Sequence, residues 1–195
     1  MRGIHSMKVV KMMSMIISLI FCMMGVFYLV EPNVFWDTKT LVEILFLWFG
    51  SIKIMGYASK DLYQLAFQYD LEMGLLLCVI AIILWVWQDH YFDILCITFG
   101  IDLFLDSLFK IRIAMDAKEF GISSWWITMG FSFLCILLSI GLGLRLLPRM
   151  AMQIRFVGVT FLFEGCSNLL MMLTMVKLYH YQSNQIDTRN EESEE

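Results

Sequence analysis

Three ionisable residues of one apolar stretch, Asp102, Asp106 and Lys110, stand at i, i+4 and i+8. On a helix that spacing puts them on one face. A second stretch repeats the theme with Glu164 and Asn168, again four apart. Charges inside a hydrocarbon-length segment are costly and mark either function or pairing. Two chemistries fit. As a polar track, Asp102, Asp106 and Glu164 would relay protons or bind a cation. As an interhelical lock, Asp106 would pair with Lys110, and Glu164 would hydrogen-bond Asn168 or a neighbouring helix. Lys110, near a helix end, is expected to snorkel toward the inner interface.

The segments that carry these residues are unusual in bulk. Of the 195 residues, 59% are hydrophobic and the mean hydropathy is +0.73, above the 45–50% apolar content usual for soluble domains. The apolar residues fall into six blocks, at about 9–30, 39–58, 70–88, 91–111, 123–146 and 152–178. Each is close to the ~20 residues needed to cross a bilayer. Barrel strands would alternate over about ten residues, and these runs are continuous. The pattern therefore predicts an all-α integral membrane protein with six transmembrane helices. A cytoplasmic segment, 1–8, precedes one six-helix domain, 9–182, and an acidic cytoplasmic tail, 183–195, follows it.

Turn signals divide the blocks. Pro32 ends the first helix, since it lacks an N–H, and Asn33–Thr38 form a polar turn. Ser59–Tyr69 is a linker whose Leu62, Leu65, Ala66 and Tyr69 fall at helical spacing, so a turn or two is expected along the membrane surface. Gln88-Asp89-His90 is so short that its flanking helices are expected to be antiparallel neighbours. The fourth helix is expected to run on past the membrane to Phe120, because Gly121 is its first good stop signal.

With the N-terminus inside, the cytoplasmic side holds ten Lys and Arg residues, Lys53 and Lys110 among them. The outer side holds four: Lys39, Arg145, Arg149 and Arg155. That asymmetry places both termini inside. The net charge of −4 comes from Glu191-Glu192-Ser193-Glu194-Glu195, which reads as a solvated extension. No basic patch for nucleic acid is present. The expected partners are the lipid bilayer, and a second copy of the chain or other membrane proteins.

Negative signals bound the function. The five cysteines lie in apolar runs with no CxxC or Cys/His cluster, so neither zinc nor a disulfide framework is indicated. The three histidines, His5, His90 and His180, are too far apart along the bundle to form a site. Sixteen methionines at helical spacing read as lipid-facing and gap-filling side chains. HExxH, GxSxG and P-loop motifs are absent. The expectation is a non-enzyme with no catalytic residue, cofactor or metal site. Glu43 and Lys53 are expected to reach the two interfaces from the ends of the second helix.

A repeat is visible. Gly25 to Pro32 matches Gly141 to Pro148 as Gly-x6-Pro, and Cys78-x-x-Ala81 echoes Cys22-x-x-Gly25. In the even-numbered spans, Gly50, Gly100 and Gly158 are followed at +6 by Gly56, Asp106 and Glu164. The six helices thus read as three helical-hairpin repeats of the same orientation, related by an axis along the membrane normal.

With these Gly-x6-Pro ends, the three hairpins and the closing segment from Arg155 through Gly158, Glu164, Gly165 and Asn168, the chain resembles the HdeD-like family. These are small six-span bacterial membrane proteins that carry a domain of unknown function. The resemblance covers roughly 9–180. It implies a bacterial cytoplasmic-membrane protein with a stress role, acid resistance being associated with the family's named member, and no established reaction. The chain departs from the family pattern in two ways. Its third span has Gln88 where proline would stand, and Asp102, Asp106 and Glu164 add buried charge.

Overall fold

A computed structural model describes the backbone of residues 2–58, 70–145 and 147–194, and the side chains of 12–57, 71–145 and 147–174. The linker 59–69 and the side chains of His5, His180 and the acidic tail lie outside the described residues.

All regular structure among the described residues is helical. The elements are α1 (Arg2–Val30), α2 (Val34–Asp37), α3 (Lys39–Ala58), α4 (Asp70–Val86), a 3-10 turn (Gln88–His90), α5 (Tyr91–Glu119), α6 (Trp125–Gly143) and α7 (Met150–Glu194). Four of them contain stretches long and apolar enough to cross a membrane: Met12–Val30, Lys39–Tyr57, Trp125–Gly143 and Met150–Thr174. A fifth crossing is obtained if α4 and α5 together form one broken span, bent by 99°. Among the described residues neither meets that measure singly: 17 residues of α4 are described, and Asp93, Asp102, Asp106 and Lys110 interrupt α5. The outward faces are greasy in a way water would not tolerate. Leu19, Phe27, Leu75, Ile82, Phe133 and Leu137 all stand exposed.

Local signals fix the helix ends. α1 stops two residues before Pro32, and α2 occupies the turn that follows. α5 ends in a Schellman motif: Ile122 N donates to Ala117 O and Gly121 N to Lys118 O. Gly121 has φ +73°, which a side chain would resist. Ser and Thr side chains in the helices donate back to the preceding turn, as Ser107 does to Leu103 O and Ser132 to Thr128 O. That satisfies polar groups where no water is at hand.

Around the bundle the helices pack in the order α1, α3, α4, α5, α6, α7 and back to α1, and α5 also touches α7. The extensive seams are α1·α7, α3·α4 and α5·α6. The short turn at Gln88–His90 makes α4 and α5 neighbours but not a close hairpin. They diverge at 99°, because each finds a better partner elsewhere. Gly50 on α3 and Gly74 on α4 meet so closely that a Cβ on either would lie 2.6 or 2.7 Å from the other's carbonyl oxygen. α5 lies along α6, with Gly100 facing the Ser139 carbonyl.

The contacts also give direction. α3 and α4 touch through Leu47 and Cys78 and again through Glu43 and Gln88, so they run oppositely. α1 and α7 do the same through Gly25 with Gly158 and Ser18 with Gly165. α3, α5 and α7 run in one direction. Their Phe46, Phe99 and Phe161 stack on one another, with ring centroids 4.7 to 6.0 Å apart. Phe21 of α1 joins that stack at 5.2 Å from Phe161.

Candidate functional site

The phenylalanine layer sets the register of what lies beneath it. Three residues on from each Phe stand Phe49, Asp102 and Glu164, and seven residues on stand Lys53, Asp106 and Asn168. At 1.5 Å per residue the second of these layers is about 10 Å deeper along the helices. Four residues farther, Lys110 on α5 points back into the same space. The polar residues of α3, α5 and α7 thus converge below an aromatic plug. This register aligns Gly50 with Leu103 and Gly165, not with Gly100 and Gly158 as the glycine spacing predicts. The difference arises because the large rings, not the glycines, face the common centre.

Lys110 is the hub. It is 2% exposed, so it does not snorkel to the interface. Its ammonium pairs with Asp106 Oδ2 and donates to Glu164 at 3.1 Å (Oε1) and 3.2 Å (Oε2). Asn168 Nδ2 donates to Glu164 Oε1 at 2.8 Å. Lys53 Nζ donates to Asp106 Oδ1 at 3.2 Å and lies over the Phe49 ring, 5.2 Å from its centroid. A chain of opposite charges therefore runs from α3 through α5 to α7. Buried charges are tolerated only when paired and hydrogen-bonded in this manner.

Asp102 completes the group and breaks its balance. It is 5% exposed, and its Oδ1 has no hydrogen-bond partner. Its charged neighbours are Asp106, Glu164, Lys53 and Lys110. Three carboxyl groups thus face two ammonium groups. Among the described residues no three His, Cys, Asp or Glu side chains are arranged to hold a metal ion.

All five candidates, Asp102, Asp106, Lys110, Glu164 and Asn168, are therefore brought into one cluster. The residue that sequence reasoning missed is Lys53, placed at an interface by default. The signal for it was arithmetic. Three carboxyls with one lysine on the fourth and sixth helices leave a deficit that another buried cation has to reduce. Lys53 lies at the cluster's margin, its side chain 13% exposed. Lys53→Met is expected to cost about 1–3 kcal/mol, because Asp106 keeps Lys110 as a partner. Chemical denaturation of the detergent-solubilised protein measures it, and a loss equal to that of the corresponding Lys110 variant would contradict the ranking.

The chain matches no family model, no curated protein and no solved structure.

Other charges sit apart from the cluster. Glu43 is turned inward and not out from the bundle. It is buried and accepts a hydrogen bond from Gln88 Nε2 at 2.9 Å, tying α3 to the turn after α4. Beside it a cavity of about 310 Å³ opens between the two helices, lined by Thr40, Ile44, Leu47, Ala81, Ile82 and Trp85. Arg145, whose φ is +50°, forms an exposed ion pair with Asp93. Lys118 lies over Trp125 at 4.8 Å.

Proposed function

We propose that this chain is a six-crossing protein of the bacterial cytoplasmic membrane, HdeD-like in organisation, with both termini inside. In this reading it acts as a non-enzymatic structural or stress-related bundle, and the buried charge cluster is the lock that holds it together. The observation that carries the reading is the Lys110 hub, which joins Asp106 and Glu164 at 2–7% side-chain exposure, sealed from water. The three same-direction helices, with Phe46, Phe99 and Phe161 at one level, support three repeated hairpin units. Removing the interior Lys53 and Lys110 from the loop count leaves eight basic residues inside against four outside. The orientation therefore still rests on a two-to-one bias.

A second reading is favoured by one observation, the unpartnered oxygen of Asp102. Three carboxyls and two ammonium groups become neutral on taking up one proton. A small proton-coupled device would use that site, with Asp102 exchanging the proton and Glu164 and Asp106 holding the counter-charges.

One experiment separates the two. The wild-type protein, Asp102→Asn and Glu164→Gln are reconstituted into vesicles, and proton and cation flux is compared with thermal stability. The lock predicts no flux in any of the three. It also predicts a lowered Tm for Glu164→Gln, since the Lys110 ammonium loses a charged partner. Asp102→Asn is predicted to keep or raise the Tm, because it removes a buried charge in excess. Flux in the wild type that disappears in Asp102→Asn would overturn the lock and establish the proton-coupled device.

A further inference from the structure

Cys22 on α1 and Cys166 on α7 face each other across the seam that closes the ring, with sulfur atoms 3.9 Å apart. Theirs is the one thiol–thiol contact among the described residues. Both are partly exposed, whereas Cys96 and Cys135 are buried. Cys78, also partly exposed, lies against its own neighbour helix at Leu47 O. Cys22 Sγ is likewise within 3.8 Å of Leu162 O.

The approach is built by glycine. A Cβ on Gly165 would fall 2.6 Å from Cys22 Sγ and 2.7 Å from Ser18 O, and one on Gly25 would fall 2.7 Å from Gly158 O. These glycines let the two backbones come close enough for the side chains of positions 22 and 166 to meet. A disulfide needs the sulfurs at about 2.05 Å with Cα atoms about 4.4–6.8 Å apart. The sulfurs stand 3.9 Å apart, so side-chain rotation has to bring them about 2 Å closer.

We propose that Cys22 and Cys166 form a redox-modification site, a dithiol that hydroperoxides convert into a disulfide stapling α1 to α7. One thiol attacks the peroxide O–O bond, giving a sulfenic acid and releasing an alcohol or water. The second thiol then displaces that hydroxyl as water, and the S–S bond forms. Two S–H bonds are lost, two electrons reduce one hydroperoxide, and the protons leave in the released alcohol and water. Both thiols are partly exposed on the membrane-facing surface, so a lipid hydroperoxide has access. The staple ties the first long helix to the last and closes the ring covalently.

The test uses the full chain in lipid nanodiscs, treated with cumene hydroperoxide or with hydrogen peroxide and then with a thiol-alkylating reagent. The expected product is a monomer lighter by two hydrogens. In it Cys22 and Cys166 escape alkylation, and their peptides are recovered joined until a phosphine reductant separates them. Cys78→Ser should retain the linkage and Cys22→Ser should abolish it. Full alkylation of both cysteines after oxidation would overturn the proposal, as would cross-linking between chains through either one. Reaction with cumene hydroperoxide alone identifies the lipid-soluble oxidant as the source. Reaction with both identifies the hydroperoxide group itself.

Discussion

Lys110→Met destabilises the bundle by about 3–5 kcal/mol, the cost of removing one partner from a buried ion pair and leaving the other behind. The substitution keeps the length and apolar stem of the side chain, so packing changes little. What changes is the charge. Asp106 keeps Lys53 as its charged partner, and Glu164 keeps only the neutral Asn168 amide as a donor. Two carboxylates then sit in an interior that has lost its hub. The loss is read as a fall in the midpoint of thermal or denaturant unfolding in detergent, followed by tryptophan fluorescence. A midpoint within error of the wild type would show that Lys110 carries no such load.

Gly158→Val is expected to be nearly as damaging, for a different reason. In an exposed helix interior, replacing glycine gains up to about 1 kcal/mol of helix propensity. At Gly158 the sign reverses. A Cβ there meets Gly25 O at 2.8 Å, Tyr28 Cβ at 2.9 Å and Leu29 N at 3.2 Å. Two of those atoms are backbone and cannot rotate away, so α1 has to lift off α7. Overpacking of this kind costs about 1–3 kcal/mol or more. Between helices in lipid, close packing is the main source of cohesion, which puts the expected loss at the upper end. Gly130→Ala on α6 is the control: its Cβ has nothing within 4 Å, and its stability should hold or rise. Equal Tm changes for the two variants would contradict the close-seam account.

Much of this was legible in the residues. The apolar block at 39–58 opens where α3 opens, at Lys39, because the polar turn before it ends at Thr38. Pro32 and Gly121 stop α1 and α5 by backbone chemistry that acts within a few residues. Asp102, Asp106 and Lys110 share a face because helical geometry demands it. Partnership between helices was less legible. The turn at Gln88–His90 says where two helices join, and the seams are chosen elsewhere, by which glycine faces fit. Gly25, Gly158 and Gly165 carried that information, but nothing local says that α1 should meet a helix well over a hundred residues away. Lys53 was hidden for a related reason. A lysine five residues from the end of an apolar block reaches water in most proteins, and only the charge of a helix distant in sequence gives it a reason to turn inward.

A lysine on α5 and a glutamate on α7 hold each other in the bundle interior. A double-mutant cycle on Lys110→Met and Glu164→Gln, read as unfolding free energy in one detergent or bicelle condition, tests it most directly. The account predicts that the double variant is less damaged than the sum of the singles, by about 1–3 kcal/mol, because removing both partners leaves no orphaned charge between them. Strictly additive losses would mean that the two side chains do not interact, and the lock would fall with that result.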